Sequence, residues 1–235
     1  MRSMKTVALI VAGGKSLRFG GEVPKQFRTV CGRPVLSWAI DSFERAGTIN
    51  EVVVVVSEEY MAYTSEKVVD PYHFAKVRKI VAGGETRRQS VLNGLEGLPK
   101  GTDFVAIHDG ARPLVTPEDV DKVVQVAHRE KAAILALKAV DTVKRVKNSF
   151  IINTLERDTL YLAQTPQVFQ YDLIVQAHRG FDESGGGDTV TDDACLVEQR
   201  GFKVKAVEPT SPNFKITSVR DLLFAETVLS ERSRT

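Results

Sequence analysis

Cysteine is scarce: Cys31 and Cys195 are the two in 235 residues. They are isolated and lack metal-ligand spacing, which excludes a disulfide framework and a cysteine-built metal site and leaves buried or incidental thiols in a reducing compartment as the expectation. Long apolar runs are missing as well. None approaches the ~20 residues that a membrane span needs. The first apolar run is too short for a signal-peptide core and leads into Gly13-Gly14 without a cleavage site, so a cytoplasmic protein with no membrane partner is expected. Neither sign of charge dominates. With 32 Lys and Arg against 30 Asp and Glu, the net charge of +2 implies no nucleic-acid-binding surface. There is no G-x-S-x-G elbow, no H-E-x-x-H and no Cys/His arrangement, so hydrolase and zinc chemistry have no motif behind them.

What is present is an ordinary globular composition, 43% hydrophobic and 26% charged, over a length that suits one domain spanning 1–235. Apolar runs at Val7–Val11, Val52–Val56, Val77–Val81, Phe104–Ile107 and Ala133–Leu137 read as strands. The unbroken valines from Val52 to Val56 suit a strand buried on both faces. Between the strands lie helical patterns near 35–46, 58–69, 87–98 and 117–130, the last opened by Thr116-Pro117 as cap and first helical residue. This alternation predicts an α/β fold: a three-layer sandwich around a mostly parallel, Rossmann-like twisted sheet. A closing helix is expected over 218–230, with apolar residues at Leu222, Leu223, Ala225 and Val228.

After Val140 the rhythm changes. From Thr142 to Leu155, β-branched and apolar residues alternate with cations around Asn148-Ser149, the pattern of a hairpin. Such a hairpin has too little core of its own. Two readings stay open: an edge hairpin lying on its own domain, or a protruding arm that packs on a partner subunit.

The segment from Val11 to Phe27 carries most of the functional information. It places Gly13, Gly14, Gly20 and Gly21 among Lys15, Arg18 and Lys25, directly after the first strand. Glycines let backbone N–H groups approach a ligand, and cations at fixed offsets neutralise clustered negative charge. The combination suits a polyphosphate at the carboxyl end of a strand, the alternative being an ordinary strand-to-helix loop with a solvated charge cluster. It matches neither familiar loop. A Walker A loop ending at Gly14-Lys15-Ser16 would need glycine where Leu9 stands, and the dinucleotide fingerprint meets Lys15 or Ser16 at its second glycine. An NAD-linked oxidoreductase is disfavoured for that reason.

Ile107-His108-Asp109-Gly110-Ala111-Arg112-Pro113 closes the fourth strand. Asp109 is a candidate Mg²⁺ ligand, since hard cations prefer carboxylate oxygen, and Arg112 a candidate anion grip. The alternative is a capping Asp109 paired with Arg112. His108 points to the opposite face and reads as a buried, hydrogen-bonded histidine. Gly83-Gly84 with Glu85 and Ser90 suits the reading of a base edge or a plain strand-to-helix turn. Thr191 and Asp192 read as caps or substrate contacts, and Lys215 as a residue of a short, solvated strand.

In order, these motifs resemble one family: the glycine loop with Pro24-Lys25-Gln26-Phe27, Gly83-Gly84 to Ser90, His108 to Pro113, Asp141-Thr142-Val143-Lys144-Arg145, Thr165-Pro166-Gln167, Thr191-Asp192 and Asn213 to Thr217. The set is similar to the 2-C-methyl-D-erythritol 4-phosphate cytidylyltransferases, with Gly13 and Glu85 departing from residues common in the family. The resemblance implies transfer of CMP from CTP to a sugar-alcohol phosphate, with a divalent cation, Mg²⁺. It assigns charge stabilisation to Arg18, Lys25, Arg157 and Lys215, and nucleotide contacts to Ala12, Gly13, Gly14, Gly84, Glu85 and Ser90. The acceptor falls to Asp109, Arg112, Thr142, Arg157, Thr191 and Lys215. Thr142 and Arg157 belong by that likeness to an arm at about 141–157 swapped within a homodimer. Ribitol-5-phosphate cytidylyltransferase and a non-catalytic nucleotide-binding regulator are the alternatives.

Overall fold

The computed structural model describes residues 4–14, 23–183 and 190–233. Lys15, Ser16, Arg18, Gly20 and Gly21, and residues 184–189, lie outside the described residues.

The chain runs β1 (Thr6–Val11), the two-residue strands β2 (Thr29–Val30) and β3 (Arg33–Pro34), α1 (Val35–Arg45) and β4 (Glu51–Val56). An irregular helical stretch then contains the single-turn α2 (Met61–Tyr63), followed by β5 (Val77–Ala82), α3 (Arg87–Glu96), β6 (Phe104–Asp109), α4 (Pro117–Glu130) and β7 (Ala132–Lys138). The second part holds β8 (Lys144–Lys147), β9 (Phe150–Thr154), β10 (Tyr161–Gln170), α5 (Tyr171–Glu183), α6 (Asp193–Gln199), β11 (Lys205–Val207) and α7 (Val219–Arg232).

Seven strands form one sheet in the order β11-β7-β10-β6-β1-β4-β5. All pairings are parallel except those of β10, which runs antiparallel to both β6 and β7. The mostly parallel three-layer sandwich is therefore present, and each of the five strands marked by an apolar run is in it. Val52 to Val56 are fully buried. Val52, Val54 and Val56 pack with Leu36, Ile40 and Phe43 of α1 and Val120 and Val124 of α4. Val53 and Val55 face the other layer, with Val91 and Leu95 of α3, Ile174 of α5 and Val197 of α6. A period-2 strand thus serves two cores, and each such side chain contributes about 1.5–3 kcal/mol by burial.

Helix ends follow the cap chemistry. The Thr116 hydroxyl accepts from Asp119 N–H with Pro117 in the first turn, and Ser218 and Asp221 form a reciprocal capping box at the start of α7. The helix expected over 58–69 is present as a helical stretch of irregular winding, tight at Glu58–Tyr60, regular for the turn Met61–Tyr63, wide at Thr64–Val69 and tight again at Asp70–Tyr72. In α7 the buried apolar residues are Ala225 and Leu229, while Leu223 faces solvent.

No strand is foreshadowed by Gln164-Thr165-Pro166-Gln167, which is polar and contains proline. It nevertheless lies in β10 at the middle of the sheet, where the pairing with β7 shifts register between Ala163 and Gln167. Thr165 and Gln167 are tolerated there because surrounding groups meet their hydrogen bonds, whereas the buried Gln164 Oε1 is left without a partner. Gln167 Oε1 accepts from Asp193 N–H at 3.1 Å and Ala194 N–H at 3.0 Å, and its Nε2 donates to Asp192 Oδ2 at 2.8 Å.

β8 and β9 pair with each other and lie outside the seven-stranded sheet. Asn148 and Ser149 take φ of 48° and 65°, the left-handed pair that closes a two-residue hairpin. Every residue of both strands is exposed, with Phe150 at 78% and Ile151 at 65%. The reading of an edge hairpin laid on its own domain does not hold: the hairpin projects.

Candidate active site

Three loops meet at the carboxyl ends of the parallel strands and are fastened there by backbone hydrogen bonds. Ala12 N–H donates to Val55 O at 2.7 Å, Gly83 N–H to Val56 O at 2.7 Å and Gly110 N–H to Val11 O at 2.9 Å. The glycine loop, the Gly83–Glu85 turn and the Gly110–Arg112 turn therefore share one edge of the sheet. Their closeness explains the glycines: a Cβ on Gly83 would stand 2.8 Å from Ser90 Oγ, and one on Gly13 would stand 3.3 Å from the same atom. Ser90 is buried, and its hydroxyl accepts from Gly84 N–H at 3.0 Å and lies 2.9 Å from Thr86 O, to which it donates. Its hydroxyl shapes the turn that carries Gly84 and Glu85, which is the physical reason for serine there.

The start and end of the glycine segment are tied together by Gln26. Its buried Nε2 donates to Ala12 O at 2.7 Å and to Gly14 O at 3.2 Å. Lys25 precedes it in a single helical turn, and Phe27 follows, stacked on Tyr60 with centroids 4.7 Å apart. The turn thus holds Lys25 beside the glycine backbone.

Asp109 is the centre of the charge arrangement. Its Oδ1 accepts from Arg87 Nε at 3.1 Å and its Oδ2 from Lys215 Nζ at 2.8 Å, with Arg112 Nε 3.6 Å from Oδ2. Burial alone would push this carboxyl up, but Arg87, Lys215 and Arg112 hold it far below the usual carboxylate range. Arg112 Nη1 also donates to Asn213 O at 2.8 Å, and Ile216 N–H donates to Ala111 O at 2.8 Å. Residues 212–217 are therefore an extended connector docked on the site. Lys215 is not in a strand, and its side chain, 36% exposed, has its head on Asp109, a partner 106 positions away that sequence reading could not see.

Directly behind Asp109, His108 is fully buried. Asp109 N–H donates to Thr165 Oγ1 at 3.0 Å, which leaves that hydroxyl to donate to His108 Nδ1 at 3.0 Å. His108 Nε2 then carries the hydrogen and donates to Arg112 O at 3.1 Å. Burial lowers the His108 pKa to about 4, so the ring is neutral at pH 7 and acts as a spacer between turn and sheet.

These contacts do not fit the expectation of Asp109 as a metal ligand. Both oxygens face cationic donors, three positive heads surround one carboxylate, and the described residues contain no group of three acidic, histidine or cysteine side chains able to hold a metal. Asp109 organises cations instead.

Thr142 and Arg157 lie at the exposed base of the arm, where Arg157 Nη1 donates to Val140 O at 3.0 Å. The side-chain partners of Asp109 are Arg87, Arg112 and Lys215, and neither Thr142 nor Arg157 is among them. Thr191 is exposed, and the cap of α6 is Asp192, whose Oδ1 accepts from Cys195 N–H at 3.0 Å. Arg87, Gln26, Thr165 and Asn213 support the site but carry no individual signal. Arg87 stands beside Arg88 with nothing to separate them, and a buried glutamine looks like any surface one.

Backbone loops and grouped cations at the carboxyl edge of a mostly parallel sheet define a nucleotide-handling α/β transferase. A family model described as "IspD: 2-C-methyl-D-erythritol 4-phosphate cytidylyltransferase" matches residues 6–231. The enzyme of that name from Caldanaerobacter subterraneus subsp. tengcongensis is 43% identical over 227 residues, covering 96% of this chain and 99% of the relative. The one from Geobacter metallireducens is 41% identical, covering 97% and 99%. A solved 4-diphosphocytidyl-2C-methyl-D-erythritol synthase from Anaerococcus prevotii superposes with a TM-score of 0.84 at 30% identity, covering 97% of both chains. The 2-C-methyl-D-erythritol 4-phosphate cytidylyltransferase of Thermus thermophilus does so at 0.76 and 32% identity, covering 96% and 98%. The chain belongs to the 2-C-methyl-D-erythritol 4-phosphate cytidylyltransferase family. It is a cytidylyltransferase of isoprenoid biosynthesis, a nucleotidyltransferase of a kind that typically uses a divalent cation. No helix among the described residues is long and apolar enough to cross a membrane.

Proposed function

We propose that CMP transfer runs at this carboxyl edge by alignment and charge neutralisation, with the roles that follow. An oxygen of the acceptor phosphate attacks the α-phosphorus of CTP, the bond to the bridging oxygen breaks, and pyrophosphate leaves. The attacking oxygen is already ionised at neutral pH, so no general base is required. The neutral, buried His108 is consistent with that economy.

Ala12, Gly13 and Gly14 present backbone to the triphosphate. Lys25, with Arg18, offsets charge that grows on the transferring group and on the pyrophosphate. Gly84 and Glu85, on the turn that Ser90 shapes, read the cytosine edge. Arg112 and Lys215, held by Asp109, bind the acceptor phosphate, and Thr191 adds a hydroxyl. The observation that carries this reading is the set of three cations around one carboxylate, a cluster with positive charge in excess, suited to an anion. Mg²⁺ is the cation proposed here; Asp109 would not hold it, since its oxygens already face Arg87 and Lys215, and hard oxygens of the substrate phosphates would have to do so, where it would offset their negative charge.

The active unit is a homodimer in which the arm of one subunit brings Thr142 and Arg157 to the partner's acceptor site. Support comes from the exposed apolar residues Val146, Phe150, Ile151 and Ile152 on a hairpin without a core. The location remains the cytoplasm by the same reading as before. Pyrophosphate release tests the assignment: CTP is preferred over UTP, ATP and GTP, and methylerythritol phosphate over ribitol 5-phosphate. Equal turnover of UTP and CTP would remove the base-reading role of the Gly84 turn, and equal use of both acceptors would remove acceptor selectivity from the Asp109 group.

A further inference from the structure

Arg87 links the site to a buried acidic group at the start of α6, in the layer that α3 shares with α5 and α6. Its Nε donates to Asp109 Oδ1 at 3.1 Å, while its Nη2 stands 2.8 Å from Asp193 Oδ2. Asp193, at the start of α6, is buried to 2% exposure of its side chain, and its Oδ1 accepts from His178 Nε2 at 3.2 Å. His178 on α5 is itself fully buried. A continuous chain therefore runs His178, Asp193, Arg87, Asp109, Lys215. The neighbouring Arg88 takes a different course, lying over the Phe181 ring at 5.2 Å.

We propose that Arg87 is a positioning residue for the transfer reaction: by bridging Asp193 and Asp109 it fixes the rotation of the Asp109 carboxylate and so sets where Lys215 and Arg112 stand. The inference rests on the reading above, in which those two cations hold the acceptor phosphate. The terminal torsion of an aspartate is broad, so a carboxylate held from one side is free to turn. A guanidinium is a rigid planar fork that meets two carboxylates with separate nitrogens, whereas an ammonium is a point charge on a flexible stem. Asp193 supplies the fixed end, since it is anchored by His178 and, through its backbone N–H, by Gln167 Oε1 at 3.1 Å. Burial would raise the Asp193 pKa, but Arg87 and then His178 hold it below the usual carboxylate range, so both ends of the fork stay charged.

A test must separate positioning from the mere compensation of a buried charge. Arg87→Met leaves Asp193 buried without its cation and lowers the melting temperature. Arg87→Met combined with Asp193→Asn removes that charge and recovers much of the stability while leaving Asp109 Oδ1 without its Arg87 donor. Arg87→Lys keeps the charge without the fork and serves as a second measurement where Arg87→Met fails to accumulate. Steady-state rates are taken with the acceptor varied at saturating CTP, beside Lys215→Ala as benchmark. The double variant and Arg87→Lys are expected to show an acceptor KM raised roughly tenfold or more, with kcat changed less, in the same direction as Lys215→Ala. Recovery of the acceptor KM together with stability in the double variant reduces Arg87 to a structural ion pair and overturns the inference, as does a wild-type KM in Arg87→Lys. If Lys215→Ala itself leaves the acceptor KM unchanged, the reading of Lys215 fails and takes the inference with it. A raised KM in Lys215→Ala with normal values in the Arg87 variants overturns the inference alone.

Discussion

Lys215 and Asp109, 106 positions apart in the chain, meet with Nζ 2.8 Å from Oδ2. The connector that brings Lys215 there is anchored at both sides of it. Asn213 Nδ2 donates to Thr165 O at 2.8 Å, and Ile216, fully buried, donates its N–H to Ala111 O at 2.8 Å. The lysine head is thus placed by backbone on either side and oriented by the carboxylate in front. Preorganisation of this kind is what a reaction without a general base depends on.

Lys25→Ala is expected to slow the chemical step by on the order of 10²–10³ while changing CTP affinity little, because its charge is assigned to the transition state. Arg18→Ala is expected to behave alike. Single-turnover rates beside nucleotide affinity decide the matter. A collapse of affinity with the rate at saturating CTP preserved makes these residues ground-state binders.

Gln26→Ala removes the amide that donates to Ala12 O and Gly14 O. Stability should fall by about 1–3 kcal/mol, the cost of leaving a buried acceptor unmet, and the KM for CTP should rise as the glycine backbone loosens. Gln26→Glu should be worse than Gln26→Ala, since a carboxylate would face two carbonyl oxygens. Denaturation midpoints and CTP titrations of the two variants provide the check, and an equal or milder effect of the glutamate variant contradicts the hydrogen-bond assignment.

His108 gives the fold a specific pH dependence. Its pKa is lowered from 6.5 to about 4 in the folded chain by burial. The unfolded state therefore binds the proton first, and the contribution to stability is complete above about pH 6.5 and lost as pH falls toward 4. Within that window the slope attributable to one such group is about 1.4 kcal/mol per pH unit. His108→Gln should lack that part of the slope. Denaturant unfolding of both proteins between pH 7 and pH 4.5 measures the difference, and parallel profiles would mean that His108 does not titrate in this range.

Mixing Arg157→Ala subunits with Lys25→Ala subunits should restore activity, because each mixed dimer would hold one site with both residues intact. Subunit exchange is followed separately with mass-tagged chains. If exchange takes place and the mixture stays as inactive as the separate variants, the arm serves its own subunit. Phe150→Asp on the exposed hairpin should shift the protein toward monomer by sedimentation, which connects the apolar surface of the arm to the same interface.

Local patterning was sufficient for the alternating half of the chain. Val52–Val56 can be read as a doubly buried strand, Thr116-Pro117 as a helix start and Asn148-Ser149 as a hairpin turn, because each depends on residues within a few positions. β10 was hidden for the opposite reason. Thr165 and Gln167 are polar, and only partners as distant as His108, Asp109 and Asp193 make their burial possible.

The site divides along the same line. Glycines and cations after the first strand, and an aspartate and an arginine closing another, point by themselves to the carboxyl edge of the sheet as the candidate site, since strand carboxyl ends and backbone-exposing loops act locally. Which charges pair is a property of distance in space. Asp109 could have been a metal ligand or a cap until Arg87 and Lys215, 22 and 106 positions away, were found on its two oxygens. Electrostatic energy depends on separation through the folded protein rather than along the chain. The residue types at the site were therefore legible in one dimension, and the role of the carboxylate was decided in three.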